Sequence, residues 1–595
     1  MGSGDRGRVR ANVRTFCRTL PRANQWGGVL CLVGLAAAAG ACLYVLLVLP
    51  QSNDDAFITF RTAENLAAGA GPYFNPGEAV QGATTPLYVL LLAAGRRLTG
   101  IRVDRFEVFL EAPAVLAIAW LLFCLGRSSP AICRLACLLP LILFLHPFEI
   151  SYSKGMETFL YCALILSVIV AEARGKWIWA GLGMGLVAAT RTEGGLLGLS
   201  YLLYWAAGRA AYGSRAFPLK RLGAVAGLAI LAGLPFLVYV LTWYDSLLPA
   251  SVVGKMAQGQ RGWPTFGPEA LRYLFARWGP FPPVWGPLLL LGGLAFLLRR
   301  GPRRRAPKAW RIGLATYRGL GLLAVHALLY GAAFTILKAP NYNWYLLPLQ
   351  VLLVPFYGLS CVALWRFASG WETAAREGAG PGAPSEETGG EAPSEKAGGE
   401  REAEGESGRA GTAQEQGMKQ PAVRAAVLVF FSYAAFLRVF ALAFILYLSR
   451  GIDPGFPPQT GYPEAGKYLA RHAGKSGWTF AGPEIGYLGY HSGLRCLDLA
   501  GLVSPECRPF FGRQPLARTV LHFRPELYVT AYCPELTPGL PEYDPNLAEE
   551  FLAHYRMVHQ IASMKGYVRI YCRRDLPWPP SGQEGPGDAL HEKPD

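Results

Sequence analysis

The sequence has little charge and lacks the common signatures of soluble nucleotide-dependent enzymes. Only 16% of its 595 residues are charged, against about a quarter in soluble globular proteins, while 52% are hydrophobic and the mean hydropathy is +0.23. It contains no Gly-x-x-x-x-Gly-Lys-Ser/Thr loop, no dinucleotide-binding glycine fingerprint after a strand, and no His/Cys cluster with zinc spacing. The missing motifs argue against an enzyme that uses a soluble nucleotide as donor. The low charge and high hydropathy indicate a membrane protein. No cofactor is predicted, and a divalent metal is not indicated but stays open.

The net charge of +16 does not predict a nucleic-acid partner. Arginine and lysine stand in short clusters between apolar segments, where the positive-inside rule places the cytoplasmic loops of a membrane protein. Residues 1–26 form a basic N-terminus that precedes an apolar stretch at 27–49, long enough to cross a bilayer with ~20 residues. Because no small-residue cleavage site follows, we predict a signal anchor with its N-terminus in the cytoplasm.

Hydropathy predicts a polytopic α-helical protein of the plasma membrane, with about eleven transmembrane helices in a domain at 27–449. The ten spans after the first are expected at 106–126, 131–146, 156–172, 177–190, 194–208, 222–243, 282–298, 316–337, 345–367 and 425–449. The apolar stretch at 86–94 is interpreted as a short juxtamembrane or re-entrant helix. If it crossed the membrane, every later basic loop would lie outside, so we place it in an outer loop at 50–105.

Two regions differ in composition from the spans. Residues 371–420 are rich in Gly, Glu, Ala and Ser, which predicts a disordered cytoplasmic loop. Residues 450–577 alternate helix-like and strand-like pieces, which predicts an extracytoplasmic α/β domain, and 578–595 should be a loose tail. The helix-like pieces are 463–472 and 546–555, and the strand-like pieces are 478–480, 494–499, 527–532 and 567–572.

Four of the twelve cysteines lie in this C-terminal region, at Cys496, Cys507, Cys533 and Cys572. If the region is extracytoplasmic, they could form disulfides, and the sequence leaves three pairings open.

A polar run directly after the first span contains the most informative residues, Asn53, Asp54 and Asp55. Two adjacent carboxylates at the end of a membrane helix are costly, which favours a function for them. The simpler alternative is that Asn53 caps a helix and the two acids complement its positive end. At the water–lipid boundary, either carboxylate could serve as a general base between a lipid-linked group and a water-soluble acceptor.

The helix that follows this run is predicted to be amphipathic and to lie in the membrane interface. Its apolar side consists of Ala56, Phe57, Phe60, Ala63 and Ala67, and its polar side of Arg61, Glu64 and Asn65.

Polar residues recur in the other outer loops, where cations would suit a phosphate and carboxylates a hydroxyl nucleophile. Taken singly, each is also explained as an interfacial aromatic or a snorkelling cation. The candidate residues are Glu157, Arg191, Glu193, Lys255 and Tyr345, accompanied by His146, Glu149, Tyr152, Lys154, Tyr244, Asp245, Ser246, Arg261, Lys338, Asn341, Tyr342, Asn343 and Trp344. His326, inside a span, is interpreted as a hydrogen-bonded structural histidine rather than a proton relay.

Several of these stretches resemble GT-C-fold glycosyltransferases, in particular the actinobacterial terminal arabinofuranosyltransferases and their uncharacterised bacterial relatives. The first outer loop at 53–92 is the strongest likeness. Further similar stretches are Gly-Met-Glu-Thr at 155–158, Ala-Thr-Arg-Thr-Glu-Gly at 189–194, Leu-Leu-Pro at 247–249 with Lys255, Trp-Tyr-Leu-Leu-Pro at 344–348, and 484–490 with 497–503.

The resemblance implies an inverting transferase that takes a sugar from a polyprenyl-phosphate donor in the membrane and passes it to an envelope glycan, lipid or protein. It implies that the catalytic base is Asp54 or Asp55. Donor or acceptor contacts are expected from Arg61, Glu64, Glu157, Arg191, Glu193, Lys255 and Tyr345. The sequence departs from the family at Thr192, at 83–85 and at Ser251, which leaves the sugar and the acceptor undetermined.

Two alternative functions are compatible with the same sequence features. A transporter or flippase of lipid-linked sugars would also have many spans, but it would tend to carry internal repeats and charges near the midplane, whereas these acids cluster at outer ends. The C-terminal region could instead be a carbohydrate-binding module anchored by the spans, although about eleven spans are excessive for an anchor.

Overall fold

A computed structural model describes the chain at 53–126, 153–244, 246, 249–260, 264–267, 314–368, 461–531, 533–563 and 566–579. The predictions for the basic N-terminus, for the spans at 27–49, 131–146, 282–298 and 425–449, and for the loop at 371–420 lie outside these residues. So do His146, Glu149, Tyr152, Asp245 and Arg261.

The membrane part is built from long apolar helices, and every span predicted within the described residues is observed as a helix. These helices are α4 (Val108–Gly126), α5 (Thr158–Ala173), α6 (Trp177–Thr190), α7 (Gly195–Tyr212), α8 (Leu219–Trp243), α10 (Leu314–Ile336) and α11 (Asn343–Ala368). Within the described ranges, Val103–Gly126, Leu219–Trp243 and Thr316–Ile336 are long and apolar enough to cross a membrane. Shorter apolar helices cover Thr158–Ala173, Trp177–Thr190 and Trp344–Phe356.

The packing of α6 against α8 depends on small residues. A Cβ atom on Gly181 would lie 2.8 Å from the carbonyl oxygen of Val225, and one on Gly185 would lie 2.4 Å from that of Ala229. Glycines four residues apart therefore bring the two backbones together, as in other membrane helix pairs. The opposite side of α8 is apolar and exposed, with Ile230, Leu231, Leu234, Val238 and Leu241 on it.

We expect Gly185→Leu to separate α6 from α8 and to lower the unfolding temperature in detergent, by the equivalent of about 1–3 kcal/mol for overpacking. Gly227→Leu is the matched control, because a Cβ atom there meets nothing within 4 Å among the described residues. Equal loss of stability in the two variants would contradict the role assigned to the close contact.

His326 is fully buried, and its Nδ1 lies 2.9 Å from Ser200 Oγ, so this span carries the hydrogen-bonded histidine that the sequence predicted.

The outer loop contains α1 (Asp54–Ala67), α2 (Pro86–Thr99) and the short α3 (Val103–Phe106). Pro86 at the first turn starts α2, and Gly100, with a φ of 72°, ends it. A short helix was predicted here, and it is observed. Above α8, the 11-residue α9 (Ala250–Gln260) returns towards this loop, where the Ala250 N–H donates to the carbonyl oxygen of Gln81 at 3.1 Å.

The C-terminal part is an α/β unit with a five-stranded sheet in the order β2-β1-β3-β5-β4. Its strands are β1 (Thr479–Gly482), β2 (Arg495–Asp498), β3 (Leu527–Thr530), β4 (Tyr555–Ser563) and β5 (Gly566–Arg573). β2, β1 and β3 are parallel, whereas β5 runs antiparallel to β3 and β4. Its helices are α12 (Tyr462–Ala473), α13 (Gly486–Ser492), α14 (Leu516–Phe523) and α15 (Pro545–His554).

The four predicted strands and two predicted helices of this unit are observed, while α13, α14 and β4 were missed. Cys496, Cys507, Cys533 and Cys572 are buried free thiols, so the structure contains none of the three disulfide pairings that the sequence left open.

Asp498 shapes the loop that follows β2. Its carboxylate accepts hydrogen bonds from the backbone N–H groups of Ala500, Leu502 and Val503. Burial raises the pKa of Asp498 to about 6, although these donors act in the opposite direction. The shaped loop packs on α9, where a Cβ atom on Gly254 would lie 3.0 Å from Leu502. Asp498 is thus a structural carboxylate.

Candidate active site

The two adjacent carboxylates lie at the N-terminus of α1 and point to different partners. Asn53 caps the helix, its side-chain oxygen accepting a hydrogen bond from the Asp55 N–H at 3.0 Å, so the simpler interpretation of Asn53 is confirmed. The cap does not use the carboxylates themselves. Asp54 faces the α/β unit, and Asp55 faces the membrane part.

Asp54 anchors α1 to the α/β unit. Its two oxygens accept hydrogen bonds from the backbone N–H groups of Gly486 and Tyr487, each at 2.8 Å. A Cβ atom on Gly486 would lie 1.9 Å from the Asp54 carbonyl oxygen, so glycine is required for this approach. Burial raises the pKa of Asp54 to about 6, against these two donors, and the charge of Asp55 adds to the rise.

Asp55 forms an ion pair with Lys255 of α9. Lys255 Nζ lies 2.9 Å from Asp55 Oδ2, and the two side chains are 16% and 22% exposed. Burial alone would lower the pKa of Lys255, but Asp55 outweighs it, and the pKa is raised above its ordinary value. Three aromatic rings at the start of α11 surround the ammonium group, at 5.6 Å for Tyr342, 5.4 Å for Trp344 and 5.7 Å for Tyr345.

A second ionic cluster lies beside this pair and is centred on Arg191, which follows α6 in an extended conformation. Its guanidinium lies 3.1 Å from Glu157 Oε1 and 2.6 Å from Glu193 Oε1. Arg191 and Glu157 are almost completely buried, at 4% and 2% exposure of their side chains. With one cation and two carboxylates, the cluster has a formal charge of −1.

Tyr345 joins the two groups, since its ring lies 5.0 Å from the Arg191 guanidinium and 5.7 Å from Lys255 Nζ. The structure therefore brings together six of the nine residues predicted from the sequence, with Asp54 beside them. These six are Asp55, Glu157, Arg191, Glu193, Lys255 and Tyr345. Arg191 and Lys255, the two cations that the family resemblance makes candidates for holding the donor phosphate, both form ion pairs with carboxylates.

Arg61 and Glu64 lie elsewhere. Arg61, predicted to lie on the polar side of α1, is only 5% exposed. It is buried because its guanidinium donates to the carbonyl oxygens of Phe74 and Leu494, each at 2.7 Å, across the contact with the α/β unit. Glu64 accepts from Arg96 Nε and from the Val103 N–H, and so ties α1 to α2 and α3.

Glu107 and Glu111 lie near the N-terminal end of the span Val103–Gly126 and were not predicted as site residues. Both are buried, and Glu111 Oε1 accepts the Gly155 N–H at 2.7 Å next to the loop that carries Glu157. Two acidic residues four positions apart in an apolar helix could have indicated a functional site from the sequence alone.

Among the described residues, no group of three or more His, Cys, Asp or Glu side chains is arranged to hold a metal ion.

Comparison with known proteins supports the predicted resemblance. A family described as a domain of unknown function (DUF8728) matches residues 456–576. The terminal β-(1→2)-arabinofuranosyltransferase of Corynebacterium glutamicum is 25% identical over 365 residues, which cover 54% of this chain and 49% of that protein. This chain thus spans about half the length of the curated relative that it matches.

Two solved structures share the fold. ArnT from Cupriavidus metallidurans bound to undecaprenyl phosphate has a TM-score of 0.50 and 14% identity, covering 95% of this chain and 100% of ArnT. The apo structure of the same protein has a TM-score of 0.52 and 14% identity, covering 91% and 97%. The chain is therefore a polytopic helical membrane protein that resembles the GT-C-fold, polyprenyl-phosphate-sugar-dependent glycosyltransferases.

Proposed function

We propose that this protein transfers a sugar from a polyprenyl-phosphate donor to an acceptor hydroxyl at the extracytoplasmic membrane face, with Asp55 as the general base. The observation that carries the proposal is the Asp55–Lys255 pair, which is partly exposed beneath three aromatic rings in a chain with the GT-C fold. The transferases matched above support the reaction class, and none of them supports transport.

The pair supplies both halves of the reaction. The acceptor oxygen attacks the anomeric carbon, its proton passes to Asp55, and the bond from the anomeric carbon to the phosphate oxygen breaks. The departing polyprenyl phosphate gains one negative charge as Asp55 loses one. Lys255, 2.9 Å from Asp55, is then left without its counterion and can stabilise the phosphate. Lys255 thus neutralises the Asp55 carboxylate before the reaction and stabilises the departing phosphate during it.

Asp54 is assigned a positioning role in this proposal. Both of its oxygens already accept backbone N–H bonds from α13, so a substrate proton would have to displace one of them. Among the described residues, the carboxylate of its neighbour Asp55 accepts a side-chain hydrogen bond from Lys255 alone, at 2.9 Å. The difference favours Asp55 as the base and Asp54 as the residue that fixes α1 against the α/β unit.

The function is tested by incubating the purified protein in nanodiscs with synthetic polyprenyl-phosphate arabinofuranose and with the corresponding hexose donors. Mass spectrometry should detect loss of the sugar and release of polyprenyl phosphate when an envelope glycan acceptor is present. Movement of intact donor between leaflets of a vesicle without release of polyprenyl phosphate would contradict the proposal and support a flippase.

We expect Asp54→Asn to loosen the contact between α1 and the α/β unit by about 1–3 kcal/mol, because the amide nitrogen cannot accept a hydrogen bond and one of the two backbone N–H donors loses its acceptor. Cys496 reports on this contact, since it is fully buried and its backbone pairs with Asn75 of the outer loop. Its reaction with maleimide should therefore become faster. Asp544→Asn, which preserves the N-cap of α15, is the control and should leave the rate unchanged.

The same variant should alter the pH dependence of stability. Because the pKa of Asp54 is raised from 3.8 to about 6 in the folded protein, its contribution to stability is present below about pH 4 and is lost as the pH rises through 6. Between pH 4 and 6, the unfolding temperature of Asp54→Asn should therefore fall less than that of the unmodified protein. The part of the fall that comes from Asp498, whose pKa is also raised to about 6, should remain. An unchanged pH profile together with unchanged labelling would contradict the anchoring role.

A further inference from the structure

A cavity of about 320 Å³ lies between α1, the end of α2 and α13, away from the candidate active site. Its lining includes Arg61, Glu64, Arg96, Arg102, Tyr490 and His491. Arg61 follows Asp54 by seven residues, which is about 10 Å along a helix. Packed rings of Phe57, Tyr487 and Tyr490 lie in the contact between α1 and α13. The cavity is thus a separate site of a size that suits a small ligand group.

The charge of Arg61 is not balanced by a carboxylate. Among the described residues Arg61 makes no ion pair, and its Nη1 is buried without a hydrogen-bond partner. The nearby acids have other cations: Glu64 lies 2.8 Å from Arg96, Asp104 2.9 Å from Arg102, and Glu78 2.7 Å from Arg495. The partners of Arg61 are two backbone carbonyls and the Phe74 ring, whose centroid lies 4.5 Å from the guanidinium carbon. A buried guanidinium without a carboxylate is costly, and an anion in the cavity would offset that cost.

Two cations act on His491, which also lines the cavity. Burial lowers the pKa of His491 to about 4, the charges of Lys467 and Arg102 add to the decrease, and Asp104 acts in the opposite direction. Burial lowers the pKa of Arg61 to about 10, which still leaves its guanidinium charged.

The cavity lies next to the start of a helix that is long and apolar enough to span a membrane. Arg96 is in the last turn of α2, and Arg102 directly precedes Val103–Gly126, a helix long and apolar enough to span the membrane. Between and beyond these arginines, Leu98 is 85% exposed and Phe109 is 61% exposed. Exposed apolar side chains next to cations at the end of a span are typical of contact with lipid tails and anionic headgroups.

We propose that this cavity binds the phosphate-bearing headgroup of an anionic membrane lipid, with Arg61 at its base and Arg96 and Arg102 at its mouth. The lipid would tie the outer loop and the α/β unit to the membrane surface. The proposal concerns lipid binding and does not depend on glycosyl transfer.

The test uses the delipidated full-length protein in detergent and measures bound lipid by native mass spectrometry. Phosphatidylglycerol should bind and phosphatidylcholine should not. Arg102→Gln and Arg96→Gln should each weaken phosphatidylglycerol binding about fivefold, the effect of one interfacial cation. Arg97→Gln is the matched control, because Arg97 is exposed on the same helix but does not line the cavity, and it should change binding less than twofold.

The proposal would be overturned by equal binding of the two lipids, by unchanged binding in both cavity variants, or by an equal loss of binding in Arg97→Gln. Displacement of phosphatidylglycerol by millimolar inorganic phosphate would assign the cavity to a soluble anion instead, and would also overturn it. Arg96 and Arg102 are substituted rather than the buried Arg61, because loss of Arg61 would also disturb the contact between α1 and the α/β unit.

Discussion

Asp55→Asn should reduce glycosyl transfer by about 10²–10⁴-fold, which is the usual contribution of a positioned general base. The amide has almost the same shape, so α1 should keep its cap at Asn53 and its Asp54 bonds to α13. The loss should therefore appear in kcat, measured as release of polyprenyl phosphate. The unfolding temperature should also fall, because the mostly buried Lys255 loses its carboxylate partner.

Glu78→Gln is the matched control for Asp55→Asn. It removes one carboxylate from the same outer loop, where Glu78 pairs with Arg495 at the surface, and it should change transfer less than twofold. Full activity in Asp55→Asn would eliminate Asp55 as the base. Activity lost in Asp54→Asn alone, with an intact contact to the α/β unit, would transfer that role to Asp54.

The membrane helices could be predicted because their signal is local. A stretch of about twenty apolar residues must satisfy its own backbone within the bilayer, so hydropathy alone located α4 to α8 and α10 and α11. The strands β1, β2, β3 and β5 were also predictable, since short runs of apolar and β-branched residues stand between turn residues. β4 was missed because its burial alternates irregularly along the strand and a bulge interrupts its pairing at 557–559.

The partners of the site residues could not be predicted, because they lie far apart in the chain. Nothing local distinguishes Asp54 from Asp55, and only the fold brings Gly486 to the first and Lys255 to the second. For the same reason, Arg61 was assigned to a polar helix side although it is buried against Leu494. The sequence could group the outer-loop charges by topology but could not say which cation balances which carboxylate.

Arg191→Met should destabilise the protein by about 3–5 kcal/mol, because it leaves Glu157 and Glu193 as buried or half-buried carboxylates without their cation. The unfolding temperature and the yield of monodisperse protein should both fall. The double variant Arg191→Met/Glu157→Gln removes one of the two carboxylates left without a cation and should recover part of the stability. No recovery would mean that Arg191 stabilises the fold through its contacts with Tyr161 and Tyr345 instead.

Arg191→Lys separates this structural role from a role in donor binding. Lysine keeps the charge but cannot reach Glu157 and Glu193 with the planar geometry of the guanidinium, so partial stability should remain. Arg191 forms ion pairs with both Glu157 and Glu193, so a donor phosphate could reach its guanidinium only by displacing one of these carboxylates. If that exchange occurs, Arg191→Lys should raise the KM for the polyprenyl-phosphate sugar. An unchanged KM with a reduced unfolding temperature would leave Lys255 as the cation that meets the phosphate.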